Sequence, residues 1–206
     1  LVAVALLGNY NYFGHLKVDN LNRTIVLPII AAGIVCGLLG GLFSRLMLWP
    51  QQREAFFLWR WRNAHPVLFA GLCGALVAFI GWAGGNLSFG SGYLITSQVV
   101  SGQIVLPWHA PISRFMATLV SYYSGIPGGI FAPSLAVGAA LGSNLAQLLD
   151  IPADTIPIIA LCMAAFLAAV TQSPITSAII VMEMIDGHEM VISLMAVTLI
   201  AKAVSS

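Results

Sequence analysis

Ser124-Gly125-Ile126-Pro127-Gly128-Gly129-Ile130-Phe131-Ala132-Pro133 leads straight into the apolar, glycine-bearing run from Ser134 to Leu149. Gly125, Pro127, Gly128 and Gly129 fall within five residues, and such a cluster cannot continue a helix. Pro133 suits the first turn of the helix that follows, where its missing N–H costs nothing. The N–H groups of Gly129, Ile130 and Phe131 are thereby free to converge beside the positive end of a helix dipole. That pattern is an anion site made of backbone. Inside a bilayer, irregular backbone of this kind is tolerated only where protein buries it or a cavity meets it. A broken helix aimed at the midplane is also how transporter folds present donors to an anionic solute.

The surroundings are those of a membrane protein. Of the 206 residues 59% are hydrophobic and 7% charged, against roughly 25% charged in soluble domains. A net charge of +1 without a basic block gives no sign of a nucleic-acid partner. Cys36, Cys73 and Cys162 lie in apolar runs and read as small core residues, with no disulfide or metal set among them. Leu1 is apolar and no basic segment precedes it, so no signal peptide is expected. Both ends read as helices cut short, so a piece of a longer chain is expected.

Outward from the motif the chain reads as spans and short helices. Leu1 to Leu7 reads as the end of a span and Gly8 to Arg23 as a polar, aromatic loop. Ile25 to Trp49 is long enough to cross a bilayer, and Gly33, Gly37 and Gly41 share one face as a helix-packing stripe. Arg45, Arg53, Arg60 and Arg62 cluster around the segment Trp49 to Pro66, which the positive-inside tendency makes a cytoplasmic loop. Pro66 to Gly84 is a second span, ended by five glycines between Gly81 and Gly92. Leu94 to Gln103 and Ile112 to Tyr123 are helices too short to cross, the second carrying Arg114. After the motif, helices are expected over Ser134 to Leu149, Ile156 to Val170, Ile175 to Met184 and Met190 to Val204. Asp150 to Asp154 reads as a polar hinge and Asp186-Gly187-His188-Glu189 as a turn. Several of these helices cannot cover a core of about 30 Å at 1.5 Å per residue. Short, interrupted helices suit a channel or transporter better than a bundle of anchors.

Gly-Ile-Pro-Gly-Gly-Ile-Phe-Ala-Pro-Ser-Leu at 125–135 resembles the CLC family of chloride channels and chloride/proton exchangers, with Gly129 to Pro133 matching its G-x-F-x-P anion-binding element. The resemblance continues through Ala164 to Pro174 and Ile179 to Met184, and upstream in the turn Gly90-Ser91-Gly92-Tyr93. It implies an all-α membrane fold of inverted repeats built from tilted, interrupted helices, of which this chain is the second half. Residues 1–23 then end the first repeat and 24–206 form the second. It implies transport of chloride or a similar monovalent anion, bound by Gly129, Ile130 and Phe131 with Gly125, Pro127, Gly128 and Pro133 in support. Arg114 coincides with a basic residue of the family near the anion route. A homodimer with one pore per subunit, using the helices at Ile175–Met184 and Met190–Val204, is also implied, with Ile180 and Leu194 read as outward-facing. A gating glutamate in a G-(K/R)-E-G-P loop and a closing tyrosine belong to the family's pattern and are absent from these residues.

Enzymatic chemistry finds no constellation. Ser124 and Ser134 have no His or Asp at a spacing that would activate them, and His109 and His188 read as isolated loop residues. Glu183, Asp186 and Glu189 read as solvated or structural, at a helix end and its turn. No metal or organic cofactor is expected, and chloride itself is the ligand. The expected protein is not an enzyme. It is a multi-pass membrane protein, placed in a bacterial inner membrane. Channel and antiporter stay open, as do a fluoride-preferring CLC-like transporter and a scaffold subunit that does not transport. The placement of Gly128 and Gly129 separates the last reading from the others: packing glycines recur within a helix, and these precede one.

Overall fold

The computed structural model describes residues 26–49, 57–149 and 155–206, which form helices joined by turns and short loops. The expectations for residues 1–25, Arg53 and the hinge at 150–154 lie outside the described residues. In chain order the helices are α1 (Val26–Leu48), α2 (Phe57–Ala64), α3 (Pro66–Ala83), α4 (Tyr93–Val100), α5 (Ala110–Tyr123), α6 (Phe131–Leu149), α7 (Thr155–Thr171), α8 (Pro174–Ile185) and α9 (Val191–Ser205). A 3-10 turn, His188–Met190, leads into α9. Among the described residues, α1, α3 and the segment His188–Ser205 are long and apolar enough to cross a membrane.

The core is built around α7. Every residue from Pro157 to Ala169 is buried, the signature of a helix apolar all round and enclosed by others. Helices α1, α6, α8 and α9 pack against it. Close approach is set by glycine. A Cβ on Gly138 would stand 2.7 Å from the Cα of Met163, and one on Gly142 would stand 2.6 Å from the Cα of Ile159. Gly40 meets Ala169 in the same way, and Phe43 sets its ring 5.8 Å from that of Phe166. The stripe of Gly33, Gly37 and Gly41 receives α9 at Ile200, Ala201, Val204 and Ser205. Apolar surface alone does not drive helices together in lipid, so these close contacts, each adding dispersion attraction, carry the association.

Several boundaries and faces differ from the sequence reading. The segment 49–66 contains α2, because Phe57 to Ala64 holds no helix breaker and Pro66 starts the next helix. Helix α4 stops at Val100, where Gly102 takes a φ of +73°. Helix α6 starts three residues early, at Phe131, because Pro133 needs no N–H donor in the first turn. Cys36 and Cys162 are buried, but Cys73 faces the cleft described below. Leu194, read as outward-facing, is fully buried: the inward stripe of α9 is Leu194, Val197, Thr198 and Ala201. The outward residues are Ile175 and Ile179 on α8, and Ile192, Met195 and Leu199 on α9. Ile180 is half-buried.

Irregular backbone is tied down by polar side chains, as a low-dielectric setting requires. The loop before α5 receives three bonds involving α6: Leu106 N–H donates to Ser143 Oγ at 3.2 Å, Gln147 Nε2 to Leu106 O at 3.0 Å, and Asn144 Nδ2 to Trp108 O at 3.0 Å. At the α7–α8 break, Gln172 Nε2 donates to Ala169 O at 2.7 Å and to Ser205 Oγ at 2.9 Å. This fixes the α9 end beside the break.

Candidate functional site

Helix α5 ends at Tyr123, and the chain leaves it through Gly125 at φ +80°, a left-handed backbone that glycine adopts without a Cβ penalty. Ser124 closes the exit: its Oγ donates to Ser121 O at 2.6 Å and accepts from Ile126 N–H at 3.3 Å. The hydroxyl of Tyr123 donates to Leu46 O at 2.6 Å and ties this exit to the end of α1. Ile126 to Gly129 then run without helix. The first hydrogen bond of α6 is Ser134 N–H to Ile130 O at 3.0 Å. Among the described residues the N–H groups of Ile130, Phe131 and Ala132 therefore have no backbone partner. They are the orphan donors at the N-terminus of a 19-residue helix.

This N-terminus stands between two hollows. Gly128, Gly129 and Ile130 line a cleft of about 420 Å³, closed on other sides by Ser88, Arg114 and Thr118. Phe131 lines the second hollow, of about 180 Å³, with Ser91, Tyr93, Thr96 and Met184. Of the three candidate ligands, Gly129 and Ile130 thus share the larger cleft while Phe131 borders the smaller. Pro127 and Pro133 line the larger cleft as well. Gly125 sits between Ser124 and Ile126 at the rim of that cleft, with the Arg62 guanidinium 3.5 Å from where its Cβ would be. The basic segment before α3 therefore folds back to the start of the motif. Nothing in the described chain stands within 4 Å of a Cβ on Gly128 or Gly129.

Arg114 is 5% exposed, on the inward face of α5 with Ala110, Pro111 and Ala117. Its Nη2 makes no hydrogen bond, and among the described residues no carboxylate pairs with it. Gly92, at φ +86°, leaves room for this guanidinium: a Cβ there would collide with Arg114 Nη1 and with Ala136. Ser88, absent from the sequence reading of the site, is 7% exposed on the same cleft, and its Oγ has no partner. No sequence signal marks it, since a serine before a glycine turn is ordinary.

The remaining candidates do not line either hollow. Asp186 caps α8 at φ 52° and its carboxylate lies 3.5 Å from His188 Nε2. Glu183 is exposed on α8. His109 precedes α5 with its ring against Trp108. Among the described residues no three His, Cys, Asp or Glu side chains are grouped to hold a metal.

Comparison with known proteins places these features in a family. The chain belongs to the voltage gated chloride channel family, whose model matches residues 1–206, and it is an integral membrane protein. It is 32% identical over 184 residues to the H(+)/Cl(-) exchange transporter ClcA of Yersinia pestis bv. Antiqua, covering 82% of this chain and 37% of that protein. The ClcA of Klebsiella pneumoniae is 32% identical over 198 residues, covering 90% and 41%. The chain thus spans well under half the length of these curated relatives. A crystal structure of a CLC-type fluoride/proton antiporter superposes with a TM-score of 0.83 at 20% identity, covering 99% of this chain and 50% of that one. The fold is that of the CLC transporters.

Proposed function

We propose that this chain is the second half of the membrane domain of a CLC transporter or channel that carries chloride across a bacterial inner membrane. Residues 1–23 close the first repeat and 24–206 form the second. The anion is held by backbone N–H groups of Gly129, Ile130 and Phe131, positioned by Gly125, Pro127, Gly128 and Pro133. One observation carries this reading: α6 makes its first internal hydrogen bond only at Ser134, leaving unpartnered donors at the edge of a cleft. The ligands are neutral, which suits a site that must release its ion quickly. The names of the ClcA relatives support chloride as the ion.

The test is chloride binding by the whole protein that contains this chain, measured calorimetrically with wild type, Phe131→Pro and Phe131→Leu. Proline is accepted at the first helical position but removes the donor, so binding is lost, whereas leucine retains most of it. Equal losses in both variants, with folding intact, would refute a backbone site. Fluoride in place of chloride, run in the same titration, identifies a fluoride-preferring protein by tighter binding.

We further propose a homodimer with one pore per subunit, joined through the outward faces of α8 and α9. Ile175, Ile179, Ile192 and Leu199 form an apolar surface there, and closeness of fit rather than apolarity must hold it.

A further inference from the structure

We infer that Tyr123 and Arg62 are positioning residues for the anion site: they clamp the chain where it leaves α5 and so aim the amides of Gly129 and Ile130. This rests on the reading of those N–H groups as anion ligands. The segment between α5 and α6 has little to hold it in its middle. Ile126 to Gly129 form no helix, and nothing in the described chain stands within 4 Å of a Cβ on Gly128 or Gly129. The N–H groups of Gly129 and Ile130 precede the first helical residue, Phe131, so their direction follows the segment as well as the helix.

The upstream end of that segment is held by residues distant in sequence. The Tyr123 hydroxyl donates to Leu46 O at 2.6 Å, across 77 positions. Leu46 lies in the last turn of α1, where carbonyls lack helical donors. The residue four places on is Pro50, which has no N–H to give. One bond therefore serves both ends, completing α1 and anchoring the exit of α5. Phe43 and Phe115, with ring centroids 4.9 Å apart, bring the same two helices together. Arg62, in the last turn of α2, sets its guanidinium 3.5 Å from where a Cβ of Gly125 would be. Gly125 turns the chain at φ +80°, and a cation there stands at the C-terminal end of α5, where the helix dipole is negative. Neutral amides bind through partial charge, so their grip depends on convergence set before the ion arrives. Loosening the α5 exit lets the donors diverge, while α6, packed on α7, stays folded.

The whole protein that contains this chain tests the clamp, through calorimetric chloride binding, thermal unfolding in detergent and chloride flux in proteoliposomes. Tyr123→Phe, which removes only the hydroxyl, weakens chloride binding about fivefold, the size of one hydrogen bond. Arg62→Gln weakens it about threefold, and Arg62→Lys restores most of it. Half-saturating chloride rises by the same factors, with maximal flux changed less than about twofold. The unfolding temperature falls by no more than about 4 °C. Unchanged affinity in both Tyr123→Phe and Arg62→Gln overturns the inference. So does a fall in maximal flux at unaltered half-saturation, which a purely structural role would give. If Tyr123→Phe does not fold, Arg62→Gln and its lysine rescue decide alone. Phe131→Pro is measured alongside: wild-type binding there overturns the backbone site and the clamp with it. Lost binding in Phe131→Pro with normal affinity in the clamp variants overturns the clamp alone.

Discussion

Gly138 and Gly142 on one side, and Gly128 and Gly129 on the other, are two glycine pairs within fifteen residues with opposite structural meaning. A Cβ on either of the first pair would run into the backbone of α7, at 2.7 Å and 2.6 Å. A Cβ on either of the second would meet nothing within 4 Å. The first pair recurs at i, i+4 inside α6, so both glycines face one neighbour. The second lies in irregular chain ahead of the helix, where absent side chains leave the backbone open. Glycine content alone does not tell packing from binding; its place relative to a helix start does.

The comparison can be broken by mutation, and the largest expected effect is on the packing side. Gly142→Ala forces α6 and α7 apart and costs about 1–3 kcal/mol, seen as a lower unfolding temperature in detergent. Unchanged thermal stability would mean that α6 and α7 are less closely packed than the structure has them. Gly129→Ala is expected to leave that temperature unaltered while weakening chloride binding about tenfold, near 1.4 kcal/mol, because the added methyl occupies the open side of the donors. Weakened folding with normal binding would move Gly129 into the packing class.

Gly71 supplies a third kind, on an exposed face of α3 with no neighbour within 4 Å. Gly71→Ala is expected to raise stability by about 0.5–1 kcal/mol through helix propensity. A loss instead would reveal a helix docked on α3. The smallest effect on the subunit itself is expected at the proposed dimer face. Ile192→Trp and Leu199→Trp should leave monomer stability within about 0.5 kcal/mol but split dimers counted by single-molecule photobleaching in dilute liposomes. Intact dimers across both variants would place the interface elsewhere.

The apolar helices are legible in the sequence to within a few residues, because apolar runs and their glycine and proline breaks are local; α2, in the polar segment read as a loop, is not. The stripe Gly33, Gly37, Gly41 announced close packing, and α9 fills it. Its partner was not legible, since a stripe states how near a helix can come and not which one comes. The inward face of α9 was misread for a related reason. Leu194 and Leu199 are equally apolar, yet one is buried and the other exposed. With lipid as solvent, hydrophobicity does not separate core from surface. Only the packing of α9 against α1 and α7 does.

The same division runs through the site. Ser124 to Pro133 by itself determined a break, a helix start and a set of unpartnered amides, because proline and glycine act on the backbone locally. Sequence also determined that Arg114 is a charge inside an apolar helix. That Ser88, 26 positions earlier, lines the same cleft, and that Phe131 borders the other hollow, was decided by tertiary structure alone. Such placements depend on how α3, α5 and α6 stack, and no residue on any one of these helices encodes that arrangement.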